Sequence, residues 1–90
     1  MSIETVRSEL SMAMSNGWLT SIHMHDGRLI EFAEIMEFSE AEDSPVSVRI
    51  RTYQLLTGQR LVPKRKPHDL TMSHISYADL HQDKPAPASQ

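Results

Sequence analysis

"RLIEFAEIMEFSEAED", residues 28–43, admits two periods. Leu29, Phe32, Ala33 and Met36 fall on one helical face, with Glu31, Glu34, Glu37 and Glu40 as a polar stripe. Ile30, Phe32 and then Met36 and Phe38 also fit a strand with a bend. The preceding residues decide between them. From Trp18 the period is two: Trp18, Thr20, Ile22 and Met24 share one face, and Leu19, Ser21, His23 and His25 the other. Asp26–Gly27 is a favoured two-residue hairpin turn, because both central positions of a type I′ turn need positive φ. A strand that ends in such a turn needs a partner. Residues 28–36 are therefore read as a second strand, with Ile22 and Phe32 in a shared core. A helix over 29–40 is the alternative, and it would make the chain α+β with two helices.

Working outward, "SIETVRSELSMAMSN" (2–16) reads as a helix, with Ile3, Val6, Leu10, Ala13 and Met14 at helical spacing. Asn16 and Gly17 supply its C-terminal stop. "VSVRIRTYQLL" is the clearest strand, with Val46, Val48 and Ile50 directed inward and Arg49, Arg51 and Tyr53 outward. Thr57–Gly58–Gln59 turns the chain into "RLV", which Pro63 ends. "LTMSHISYADL" supplies one last short strand. The fold predicted is mainly β with an N-terminal helix, a small SH3-like or Sm-like barrel of about five antiparallel strands. Residues 1–81 form the single domain, with strands within 18–77, and 82–90 have the composition of a disordered tail.

Composition narrows function mainly by exclusion. Ninety residues bury roughly 60–65% of their unfolded surface, so the core is small. No cysteine is present, which excludes disulfides, cysteine-based zinc sites and thiol nucleophiles. The N-terminus has no apolar signal-like run, and nowhere do eighteen apolar residues follow one another. A soluble, cytoplasmic protein without membrane association is expected. The net charge of −3 conceals a division. Residues 1–45 carry nine acids against two bases (−7), and residues 46–90 carry seven bases against three acids (+4). Such a division either steers a charged partner or lets the two halves pair with each other.

No catalytic constellation is legible. His23 and His25, two apart on a strand, leave one face together and could begin a metal site, but a site needs a third ligand. His68, His74 and Asp69 are candidates that no spacing singles out. The three glycines read as a cap and two turns, not as a phosphate loop. The reading is therefore non-enzymatic, with no metal and no cofactor.

The order of pieces has a parallel. A leading helix, then "LTSIHMHDGRLIEFAEIMEF", a strand pair, "SHIS" at 73–76 and a proline-bearing tail resemble the Sm-like small-barrel regulators of bacteria, both the Hfq-like RNA chaperones and the Rof-type inhibitors of Rho. The resemblance implies RNA binding in the first case, with His74 on the family's histidine, and binding to a larger protein in the second.

Two expectations follow. The leading one is a small regulatory module that docks on a larger protein, such as a transcription or RNA-processing factor. Its acidic surface would comprise Glu31, Glu34, Glu37, Glu40, Glu42 and Asp43, presenting carboxylates where phosphates would sit. The alternative is RNA or single-stranded DNA binding by Arg49, Arg51, Tyr53, Lys64, Arg65, Lys66 and His74, since basic–aromatic interleaving holds phosphates and stacks bases. Homo-oligomerisation is compatible with either.

Overall fold

The computed structural model describes residues 3–41, 44–58 and 60–85. One helix and six strands follow in order: α1 (Ile3–Asn16), β1 (Trp18–Met24), β2 (Leu29–Ala41), β3 (Ser44–Leu56), β4 (Arg60–Pro63), β5 (His68–Thr71) and β6 (Ile75–Pro85). A 3-10 turn at Met72–His74 separates the last two, so the single closing strand expected from the sequence is two strands. The helix stops where the sequence says it should. Gly17 takes φ +70°, and its N–H reaches back to the Met14 carbonyl at 3.4 Å.

Residues 29–41 are a strand, and the second helix does not exist. The β1–β2 turn is one residue longer than the two-residue form expected. Met24 N–H donates to the Arg28 carbonyl at 2.9 Å, and Gly27 N–H to the Met24 carbonyl at 3.1 Å, enclosing His25, Asp26 and Gly27. Gly27 stands at φ +92°, as the last residue of a three-residue hairpin loop requires. β1 therefore ends at Met24, and His25 belongs to the turn rather than the strand.

The pairing path runs β4–β3–β2–β1–β6, with β5 also on β3, and every pair is antiparallel. The barrel expectation fails here. Among the described residues no ladder joins β6 to β4 or β5, so the sheet is open, neither SH3-like nor Sm-like. The strand lengths give the reason. β2 and β3 are thirteen residues each, about 43 Å at ~3.3 Å per residue, and the molecule is 42 Å long. β4 and β5 are only four residues each and occupy successive stretches of one β3 edge. Between β5 and β6 the chain places Met72, 1% exposed, in the core.

α1 lies on one face of the sheet and buries Val6, Leu10 and Ala13. Ile22, Met24, Ala33, Ile35, Val48, Ile50, Met72, Ile75 and Ala78 complete that core. Each large side chain withdrawn from water there contributes about 1.5–3 kcal/mol. Phe32 is not among them. An irregularity in the β1–β2 register, between the pairs Thr20–Ala33 and Ile22–Ile30, places Ile30 and Ala33 on the core and leaves Phe32 half-buried beside His81, ring centroids 5.8 Å apart. Leu19, expected on the outer face, is fully buried. β6 reaches Pro85, past residue 81 where the tail was expected, and 86–90 lie outside the described residues. Among the described residues no helix is long and apolar enough to cross a membrane.

Candidate functional site

The division of charge along the chain is resolved across one ladder. β2 carries the acids and β3 the bases, and their register sets Glu34 opposite Arg51 and Glu37 opposite Arg49. Arg49 contacts Glu37 at 3.5 Å and donates through Nε to Asp69 on β5 at 3.1 Å. Glu34 accepts a hydrogen bond from the Tyr53 hydroxyl at 2.8 Å. Glu40 pairs with Arg7 of α1, whose guanidinium also covers the Phe38 ring at 5.2 Å. Of the stripe, only Glu31 has an exposed side chain with no partner among the described residues. Glu42 and Asp43 lie outside the described residues.

The same ladder alters the expected basic strip. Arg49 is committed to two carboxylates. Tyr53 is 5% exposed, so its ring is not a platform on which a base could stack. Burial and then the Glu34 hydrogen bond push its phenol above the ordinary tyrosine range. Lys64, Arg65 and Lys66 remain exposed in the β4–β5 connection. Lys64 N–H donates to the Thr52 carbonyl at 2.8 Å, which holds the start of that connection against β3.

Lys64, Arg65 and His74 meet at a cleft of about 880 Å³ between the β1–β2 hairpin end and the β3–β5 edge. Arg28 and His68 line it as well. Its apolar lining includes Leu29 and Leu55, 49% and 44% exposed, beside Phe32. Thr52 lines it too, and the Thr52 Oγ1 is buried with no hydrogen-bond partner among the described residues. Sequence reasoning found the 64–65 pair and His74 but missed Arg28, Leu29, Thr52 and Leu55. Only Leu29, an aliphatic residue just past a turn, carried a local signal.

The histidine pair does not make a metal site. His23 stacks on Tyr77 (centroids 4.0 Å apart, planes 11° apart), and its Nε2 lies 3.0 Å from the Asp79 carboxylate. His25 is in the turn, its N–H on the His74 carbonyl at 2.9 Å. Among the described residues no group of three or more His, Cys, Asp or Glu side chains could hold a metal. Ser21 and His81 touch at 2.6 Å, but the serine hydroxyl donates to the Glu31 carbonyl at 2.7 Å. The imidazole is then the donor to Ser21, the opposite polarity from a base activating a nucleophile. In the turn, Asp26 accepts from the Arg28 N–H at 3.0 Å and from Arg28 Nε at 2.7 Å. Those bonds, the backbone one foremost, hold its carboxyl below the ordinary aspartate range.

The likeness to Sm-like regulators finds no support beyond its short motifs, because the sheet is open and the comparisons with known proteins give nothing to carry it. No family model, no curated protein and no solved structure matches this chain.

Proposed function

We propose that this protein is a non-catalytic binding module for a single nucleic-acid strand, RNA or single-stranded DNA, laid along the cleft beside β3. The observation that carries the reading is the placing of unpaired charge. Lys64 and Arg65 stand exposed at the cleft with no ion-pair partner among the described residues, and the one free carboxylate that lines it with them is Glu31. The carboxylates at Glu34, Glu37 and Glu40 are engaged within the fold. Docking through the acidic stripe is thereby the less supported reading, since a partner would have to compete with Arg49, Tyr53 and Arg7. In the favoured reading Lys64, Arg65 and Arg28 meet phosphates, while Leu29, Leu55 and Phe32 give bases an apolar surface. A cytoplasmic location belongs to the same proposal.

Fluorescence anisotropy with labelled mixed-sequence oligonucleotides tests it. Each phosphate contact on a single strand contributes about −0.7 to the slope of log K against log salt. The double variant Lys64→Ala, Arg65→Ala should flatten that slope by about 1.4. No binding of any oligonucleotide at low salt would sink the reading.

A further inference from the structure

A second, smaller cavity of about 280 Å³ lies beside the cleft and shares Arg28 and His74 with it. Its other lining residues are His25, Asp26 and Ser73. The walls come from two turns distant in sequence: the β1–β2 loop, and the 3-10 turn at Met72–His74. The hydrogen bond from His25 N–H to the His74 carbonyl, 2.9 Å, fastens those turns together. The side chains around the cavity are thus set on a fixed backbone frame.

The donors have one chemical character. Arg28 gives its Nε to Asp26 at 2.7 Å, and its backbone N–H goes to the other oxygen of that carboxylate. Asp26 is thereby occupied through both oxygens. The terminal nitrogens of Arg28 have no partner among the described residues, and neither do the side chains of His25, Ser73 and His74. One guanidinium fork, two imidazoles and a hydroxyl converge on a space for a small anion. A guanidinium with Nε held and its terminal fork open suits paired oxygens on phosphorus.

We infer that this cavity is a phosphate-monoester subsite, which takes the terminal phosphate of the strand whose body occupies the cleft. A terminal phosphate carries about −1.5 to −2 charge at pH 7 and presents three free oxygens, whereas a phosphate within the strand has one charge and two. The converging donors suit the first better. Asp26 is a positioning residue here, acting through Arg28. The inference rests on the cleft reading for the identity of the strand, but the anion site itself does not.

The test compares one short oligothymidylate in three forms: 5′-phosphorylated, 3′-phosphorylated, and hydroxyl at both ends. One phosphorylated form should bind about tenfold or more tightly than the hydroxyl form, and the end that gains gives the polarity of the strand. In His25→Ala and Ser73→Ala, whose side chains line the small cavity but not the cleft, that ratio should fall toward one. Equal affinities for all three forms in the unaltered protein overturn the inference and leave the cleft reading intact. Inorganic phosphate, followed by amide chemical shifts, covers the case in which no oligonucleotide binds. Saturable shifts confined to His25, Arg28, Ser73 and His74 sustain the subsite while the cleft reading falls. Their absence removes both.

Discussion

The hydroxyl of Tyr53 donates to the carboxylate of Glu34 across the β2–β3 ladder at 2.8 Å, one diagonal step from the pair Glu34–Arg51. That bond joins a buried ring to a half-buried acid, and it turns two residues that looked like separate binding groups into one structural unit. Tyr53→Phe should cost about 1.5 kcal/mol, the low end for a bond to a charged group, because Glu34 retains some contact with water. The raised phenol pKa fixes the sign of the alkaline response. The contribution is complete below the unfolded tyrosine value, ~10, and is lost as pH rises through the higher folded value. Phenolate absorbance against pH would show one tyrosine titrating late in the unaltered protein, and that late step should vanish in Tyr53→Phe.

Ile50 is fully buried in the core, whereas Phe32 is half-buried beside His81. Ile50→Ala should therefore cost about 2–5 kcal/mol. Phe32→Ala should cost clearly less, although it deletes more atoms. Urea midpoints rank the two. A larger loss at Phe32 would return that ring to the core where the sequence alone placed it.

Arg49 links β2, β3 and β5 through Glu37 and Asp69. All three side chains are about half-exposed or more, so each pair is worth ~0.2–1 kcal/mol. A double-mutant cycle on Arg49→Gln and Asp69→Asn should give a coupling in that range, shrinking as salt is raised. No coupling at low salt would mean that the pair only records proximity.

Asp26 titrates below its ordinary value because its charged form holds the Arg28 N–H. The folded pKa is depressed, so its support for the turn is present above the unfolded value, near 3.9. That support is lost as pH falls through the lower folded one. The Arg28 amide resonance should report this with a midpoint beneath the ordinary aspartate range. A midpoint at or above it contradicts the hydrogen bond.

Thr20 and Thr52 flank Ala33 in one row across β1, β2 and β3, and both hydroxyls are buried without partners among the described residues. An unpaired buried polar group costs ~1–3 kcal/mol, so valine at either position should stabilise the fold by about 1 kcal/mol. In so small a domain that is a rise in Tm of about 4–8 °C. Thr52 lines the cleft, but its hydroxyl is closed off from solvent, so Thr52→Val should leave strand binding unchanged. Thermal melts and anisotropy on the same samples check both outcomes.

Local chemistry was legible in the sequence wherever one signal acted alone. The helix ended at Asn16–Gly17 as its cap residues direct, β1 followed its alternation from Thr20 to Met24 though not at Leu19, and the Asp–Gly pair announced a hairpin that made a strand of 29–41. The glutamate spacing was harder, because 31, 34 and 37 are three apart, as on a helix. The strand achieves that spacing with irregularities: one in the β1–β2 register between residues 30 and 33, and one in the β2–β3 register between Ile35 and Glu37. Each adds a residue to a period of two and so shifts which side chains face the core. That shift is set by what lies on the neighbouring strand, and it took Phe32 out of the core and set Glu37 opposite Arg49. Tertiary structure alone decided the rest. Strand pairing set the acids of β2 opposite the bases of β3, with Glu37 and Arg49 in contact, and two four-residue strands left the sheet open. The hydrogen bond between His25 and His74 then brought together two turns nearly fifty residues apart. Sequence determines which groups are present and how each short stretch folds, while register and long-range contact determine which groups remain free to bind.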